Sequence, residues 1–290
     1  MLTLIFKFMF YFFMLERLVE KSIYILREVK AQFDKPCILW STGKDSTTML
    51  DLCRKAFFGE VPFPVLHIDT GWKFEEIYEF RDRIAREWNL DLRIVKHPLV
   101  GKLHPDQVGH LKCCSTLKTE ALRNYVEKEG FDAIIVSIRR DEHYMREPER
   151  VFSPRDKNWR WKHIREKDER IGDSPFVVEQ DVELWEIYRK DFVDVSHVRI
   201  HPLLHWTELD VWLYVKKQNL PVNPLYFSRD GKRYRSLGCK PCTTPIPSEA
   251  KNVDEIIEEL KSTRVPERVG RIQDKEREEV MRRLRALGYM

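Results

Sequence analysis

Three groups of residues in this chain have types and spacings that could do chemistry. The first is Ser41-Thr42-Gly43-Lys44-Asp45-Ser46, a run of hydroxyls, a glycine and a lysine. Backbone N–H groups in such a loop, followed by the first turn of a helix, form a nest for anions, and a lysine adds charge for phosphate. It is not the Walker sequence, which needs a longer Gly-rich loop ending in Lys-Ser/Thr. A plain strand-to-helix turn with a serine-rich cap is the alternative. The second group is Arg139-Arg140, within Ile138-Arg139-Arg140-Asp141-Glu142, which follows at once on the buried-strand pattern Asp132 to Ser137. Two guanidinium forks there suit bidentate contact with phosphate or sulfate, against the alternative of a surface ion-pair network.

The third group is the cysteines. Of six in the chain, Cys37 and Cys53 lie within apolar patterns and read as packing residues. Cys113-Cys114 and Cys239-x-x-Cys242 are four thiols with metal-ligand character. Their number and type suit an iron–sulfur cluster or a structural zinc. A disulfide or inert thiols would account for them equally.

These residues need elements to position them. Cys37-Ile38-Leu39-Trp40 is a short apolar run, and Thr47 to Phe58 carries apolar residues at helical spacing, so the first loop joins a strand to a helix. Pro64 to Ile68 reads as a second strand ending in Asp69-Thr70-Gly71, Lys73 to Trp88 as a helix, and Leu92 to Val95 as a third strand. His97 to Lys112 reads as a loop, Cys113 to Glu129 as a helix, Asp132 to Ser137 as a buried strand, and Val198 to Pro202 as a last one. Four or five strands separated by helices imply a parallel sheet with right-handed crossovers. Ligands of such sheets sit beyond the carboxyl ends of the strands, where both Ser41 to Ser46 and Asp69 to Gly71 fall.

Thr207-Glu208-Leu209-Asp210 opens a helix with a capping-box-like pair. Pro221 to Cys242 is a basic loop, and Val253 to Leu260 and Lys275 to Leu287 are amphipathic helices. Glu147 to Val195 is charged, Trp-rich and without sustained periodicity. Its aromatics among bases could stack nucleobases, anchor a lid or make a subunit contact. Domain organisation is therefore a nucleotide-binding α/β unit over 15–205 and a C-terminal helical region over 206–290, carrying the Cys-x-x-Cys loop.

Length and composition support this. A chain of 290 residues with 42% hydrophobic content can bury a large α/β core, and 51 basic against 47 acidic residues make a mixed surface rather than a nucleic-acid footprint. Residues 1–14 are apolar and aromatic, but too few to span a bilayer, and they read as a mis-assigned start or an extension. A cytoplasmic protein without stable membrane insertion is expected.

Taken in order, Ser-Thr-Gly-Lys-Asp-Ser, His-Ile-Asp-Thr-Gly-Trp-Lys-Phe, Ile-Arg-Arg-Asp-Glu, Trp-Thr-Glu-Leu-Asp-Val-Trp, and Pro-Leu-Tyr-Phe before Leu-Gly-Cys resemble the adenylylsulfate/phosphoadenylylsulfate reductase family of the ATP pyrophosphatase superfamily. Within it the likeness is greatest to the sulfate-activating branch, the small catalytic subunits of bacterial sulfate adenylyltransferase. The resemblance implies a doubly wound parallel α/β sheet of the adenine-nucleotide α-hydrolase type. It also implies ATP with Mg²⁺, sulfate as co-substrate, and a GTPase large subunit as partner, with homo-oligomerisation expected. Ser41, Thr42, Gly43, Lys44, Asp45 and Ser46 would hold the departing phosphates, and Asp69, Thr70 and Gly71 would line the nucleotide crevice. Arg139 and Arg140 would steady sulfate and the α-phosphate.

The cysteines depart from that branch. The reductases carry a Cys-Cys pair and a later Cys-x-x-Cys that hold a 4Fe-4S cluster, and Cys113, Cys114, Cys239 and Cys242 reproduce the arrangement, with Lys118 just after the pair. Reductases also use a later cysteine as nucleophile, and this chain has none after Cys242. The expected reading is therefore an ATP-dependent sulfate adenylyltransferase with a 4Fe-4S cluster, zinc being the second choice. The alternatives are a reductase, a sulfur-insertion enzyme acting on tRNA or DNA through the basic Lys232-Arg233-Tyr234-Arg235 loop, or a nucleotide-binding subunit without turnover.

Overall fold

The computed structural model describes residues 2–143, 146, 149–161 and 195–271. Its centre is a six-stranded sheet: β1 (Pro36–Leu39), β2 (Val65–Asp69), β3 (Leu92–Lys96), β4 (Ala133–Ile135), β5 (Phe152–Arg155) and β6 (His197–Ile200). The spatial order is β3-β2-β1-β4-β6-β5. All neighbours run parallel except β5, which pairs antiparallel to β6 with Phe152 opposite Ile200. In the central register Ile38 lies opposite Val65 on one side and Ile135 on the other. β4 is buried throughout, as the inner strand of a sheet covered on both faces must be, which is why it reads as an unbroken apolar run.

Around the sheet lie α1 (Leu2–Gln32), α2 (Lys44–Ala56), α3 (Glu75–Glu87), α4 (Pro105–Val108), α5 (His110–Cys114) and α6 (Ala121–Glu129). They are followed by α7 (Glu208–Gln218) and α8 (Val253–Ser262). The chain winds outward from β1 to β3, then returns to place β4 on the other side of β1. This reversal is the switch point at which doubly wound sheets open a crevice. Thr207 caps α7 as its sequence suggests: its hydroxyl accepts the Asp210 amide, and the Asp210 carboxylate accepts the Thr207 amide.

One buried cluster runs through Leu15, Trp40, Leu50, Ile134, Trp212 and Ile256 without a break. α7 and α8 therefore share the core of the α/β unit, and Tyr214 on α7 donates to Asp51 on α2 at 2.7 Å. Three local expectations are revised. The apolar spacing from Leu15 to Phe33 predicts a helix over that stretch, and the helix observed, α1, already begins at Leu2. The helix expected from Cys113 is α5 and α6 joined by a π-helical turn, Ser115–Glu120. The irregular stretch after Glu147 contains β5, whose Pro154 is tolerated because the strand lies at the sheet edge. Trp159 stacks no base there: it is fully buried, its ring 4.2 Å from that of His197. Most of the remaining Trp-rich stretch and the expected helix Lys275 to Leu287 lie outside the described residues. Among the described residues, no helix is long and apolar enough to cross a membrane.

Candidate functional site

Leaving β1, the chain turns through Trp40 to Gly43 and enters α2 at Lys44. The turn is closed by its own hydroxyls. Trp40 Nε1 donates to Thr47 Oγ1 at 3.1 Å, Ser46 Oγ donates to the Gly43 carbonyl at 3.1 Å, and Ser41 Oγ lies 3.1 Å from Ser46 Oγ. The positive φ of the loop belongs to Thr42, at 66°, a β-branched residue in the left-handed region. Strain of that kind concentrates at functional loops. Gly43 has ordinary extended backbone, and its lack of a side chain serves close approach instead: a Cβ there would stand 3.3 Å from Tyr226 Oη. That hydroxyl accepts the Lys44 amide at 2.9 Å.

Lys44 is buried, and its ammonium donates to Asp45 Oδ2 at 3.1 Å and to Glu267 Oε1. Burial works against the charge, but Asp45 and Glu267 hold the proton more firmly than on an ordinary lysine. Arg139 is completely buried and faces the same carboxylates. Its Nε donates to Asp45 at 2.7 Å, one terminal nitrogen to Asp141 at 2.5 Å, and the other to Glu267. Burial alone would raise the Glu267 carboxyl, yet Arg139 and Lys44 hold it down to about 2. The structure thus brings Lys44, Asp45 and Arg139 together across the switch point. Arg140 goes elsewhere: it donates to the Glu149 carbonyl at 3.0 Å and approaches His205.

A cavity of about 220 Å³ opens against this cluster. Ser41, Gly43, Lys44, Asp45 and Ser46 line one end, and Leu39, Leu66, Ile68 and Val136 give it an apolar wall at the carboxyl ends of the strands. Six basic residues also line it: Lys73, Lys118, Arg146, Arg199, Arg268 and Arg271. Glu142 tempers part of their charge, pairing with Arg146 and, at 2.8 Å, with Arg268. Asp69, Thr70 and Gly71 are not among the lining residues. Asp69 accepts the Gly71 amide and the Tyr78 hydroxyl, each at 2.8 Å, and Thr70 Oγ1 lies 3.2 Å from Cys239 Sγ.

Cys113, Cys114, Cys239 and Cys242 are all buried. Burial, with the other three thiols adding to it, pushes the Cys113 thiol up to about 12. Burial opposes ionisation of Cys239 as well, but Lys118, Lys73, the Thr70 hydroxyl and Arg271 together bring it down to about 7. The pair and the Cys-x-x-Cys loop are therefore electrostatic neighbours beside basic residues of the cavity. Among the described residues, no three His, Cys, Asp or Glu side chains are spaced to hold a metal ion. The four thiols fit a thiolate-bound metal in donor type, burial and surrounding positive charge, and would have to draw closer to ligate one.

The phosphoadenosine phosphosulfate reductase domain matches residues 35–245 of this chain. The chain belongs to that family. It is 39% identical to sulfate adenylyltransferase subunit 2 of Proteus mirabilis over 95% of this chain and 97% of that relative. Identity to sulfate adenylyltransferase subunit 2 of Zymomonas mobilis is the same, with the same coverage. Among solved structures, Candida glabrata FMN adenylyltransferase superposes with a TM-score of 0.55 at 18% identity, covering 81% of this chain and 65% of that one. Yeast FAD synthetase in complex with FAD superposes with a TM-score of 0.51 at 15% identity, covering 88% and 90%. At that identity the superpositions speak for the shared α/β fold alone.

Sequence reasoning missed Glu267, Arg268 and Arg271, which lie in a stretch without periodicity, between two helices that drew attention. Lys73 stood inside a quoted motif, His-Ile-Asp-Thr-Gly-Trp-Lys-Phe, and could have been found there.

Proposed function

We propose that this chain is the catalytic small subunit of a sulfate adenylyltransferase. A sulfate oxygen attacks the α-phosphorus of ATP, the bond from that phosphorus to the bridging oxygen breaks, and pyrophosphate leaves with the bridging oxygen. The observation that carries this reading is that Lys44 and Asp45 line a cavity with apolar and basic residues around it, with Arg139 bonded to Asp45 from behind. The first-turn amides of α2, the hydroxyls of Ser41 and Ser46, and Lys44 hold the departing diphosphate. Arg139 supplies charge beside the α-phosphate, and Lys73, Lys118 and Arg271 of the cavity lining receive the sulfate. No covalent nucleophile is needed, because the attacking group is itself an oxyanion. Mg²⁺ bound with ATP would neutralise phosphate charge. Arg140, expected to share the sulfate role, would have to reach the anion from its present contact with the Glu149 carbonyl.

The relatives are numbered subunits, so a large subunit, expected to be a GTPase, is the partner. Cys113, Cys114, Cys239 and Cys242 would hold a 4Fe-4S cluster, or zinc in its place, as an ordering element beside the cavity. The same cysteines favour a second reading, a reductase releasing sulfite with an external thiol. The assay that separates the two is pyrophosphate release by the full chain, with and without sulfate and the partner. Release should require both ATP and sulfate, and Lys44→Ala, with its fold checked by circular dichroism, should lower it by about 10²-fold or more. Sulfite production from adenylylsulfate without pyrophosphate release from ATP would overturn the assignment.

A further inference from the structure

Lys44 and Arg139 are the cations that the proposed reaction places beside the phosphates, and both already hold anions. Lys44 pairs with Asp45 and Glu267; Arg139 pairs with Asp45, Asp141 and Glu267. Two cations thus face three carboxylates, a formal charge of −1 in a buried cluster. A polyphosphate can be drawn in by the basic side chains that line the cavity, but it cannot pair with Lys44 and Arg139 themselves unless a carboxylate gives up its place on them.

The three carboxylates differ in how they are held. Asp45 belongs to the first turn of α2, where it also favours the helix dipole. Asp141 accepts the Glu208 amide at the start of α7 at 2.8 Å, so it is tied to two elements. Glu267 begins a short 3-10 turn, Glu267–Gly270, and its carboxylate accepts from Lys44 and Arg139. The turn is pinned at its far end, where the Thr244 amide donates to the Gly270 carbonyl at 2.8 Å. A side chain at Gly270 would collide with the Thr244 carbonyl, so that end is a close backbone approach with no room to shift. The cavity adds a second observation. Lys44, Asp45 and Arg268 line it, whereas Arg139 and Glu267 do not.

We propose that Glu267 is a displaceable carboxylate of the phosphate cradle, which holds Lys44 and Arg139 until a polyphosphate takes both cations from it. In this arrangement Glu267 determines specificity. A single tetrahedral anion is too small to replace both contacts of a carboxylate held by two buried cations, whereas the linked phosphates of a diphosphate or triphosphate reach both. Inorganic phosphate and sulfate are thereby kept off Lys44 and Arg139, and the nucleotide enters first. The inference rests on the reading of Lys44 and Arg139 as phosphate ligands.

The test is calorimetric titration of the full chain and of Glu267→Gln with ATP, inorganic pyrophosphate and inorganic phosphate. Lys44 keeps Asp45, and Arg139 keeps Asp45 and Asp141, so the variant leaves neither cation orphaned. If the open state is a minor one, removing the competitor should tighten pyrophosphate binding by about ten-fold or more and let inorganic phosphate bind measurably. Equal or weaker pyrophosphate binding by the variant would make Glu267 a fixed strut and overturn the proposal. Failure of both proteins to bind ATP and pyrophosphate would overturn the phosphate-site reading along with it. Hydrogen exchange in the unaltered chain gives an independent readout: pyrophosphate should speed exchange at the amides of Arg268 and Val269, and slowed or unchanged exchange would count against displacement.

Discussion

Replacing Arg139 by glutamine is the sharpest perturbation of the buried cluster. Arg139 is completely buried and touches Asp45 at 2.7 Å, Asp141 at 2.5 Å, and Glu267. Without it, three carboxylates remain around Lys44 alone, and the formal charge falls from −1 to −2. Removing one partner of a buried ion pair costs about 3–5 kcal/mol, because the other charge is left uncompensated. A domain of this size has about 5–15 kcal/mol in total, so the melting temperature should fall by roughly 10 °C. Glu267→Gln alone removes one carboxylate from an excess and should cost about 1 kcal/mol. In the double variant the charge returns to −1, so part of the loss is recovered, and the coupling in a double-mutant cycle should be about 2 kcal/mol or more.

Urea unfolding of the full chain, followed by tryptophan fluorescence, gives the four free energies. The acid limb supplies a second readout. Lys44 and Arg139 hold the Glu267 carboxyl down to about 2, against 4.5 in the unfolded chain, so its pairing stabilises the fold above pH 4.5 and is lost as the pH falls toward 2. In Arg139→Gln that loss should begin at higher pH. A cost below about 1 kcal/mol for Arg139→Gln, or strictly additive single variants, would refute the charge reasoning.

Two further outcomes are expected. Burial lowers His67 to about 3, His197 to about 2 and His201 to about 4, so the unfolded chain takes up protons below about pH 6.5 that the folded chain refuses. Each should remove up to about 1.4 kcal/mol of stability per pH unit below that point, and pH-dependent urea midpoints that stay level from 6.5 to 5 would contradict it. Anaerobic purification should yield iron and sulfide in about four-to-four proportion, or about one zinc per chain, lost on replacing Cys239 or Cys242 by serine; protein free of both metals with full activity would remove the metal from the account.

The strand, loop and helix around Gly43 were legible because their signals are local: an apolar run, small residues, then helical spacing. Arg139 and Arg140 were singled out together from their place after β4, and the structure separates them. Arg139 is the last extended residue before a 3-10 turn that Arg140 opens, and the two guanidinium groups part there, Arg139 reaching Asp45 and Arg140 the Glu149 carbonyl. Glu267 was not legible at all: it meets Lys44 across 223 positions of sequence, from a short turn with no periodic signal. The loop's positive φ was hidden for another reason. Glycine is the residue expected to take it, whereas here Thr42 does and Gly43 makes room for Tyr226. β5 escaped notice because Phe-Ser-Pro-Arg does not look like a strand, and only an edge accepts that proline.

The π-helical turn Ser115–Glu120 explains how one helical segment serves both the thiols and the cavity. In an ordinary α-helix adjacent side chains diverge by about 100°, and the wider π-helical turn reduces that angle. Here Lys118 and Thr119 both line the cavity, together with Leu122 on the following helix, and Cys113 and Cys114 lie just before the turn. The widened turn thus aims two consecutive side chains at the ligand space while the preceding residues stay with the Cys-x-x-Cys loop. Lys73, Lys118 and Arg271 then belong to both places: each lines the cavity, and each favours the thiolate of Cys239. These three residues therefore make the thiols and this side of the cavity one electrostatic neighbourhood.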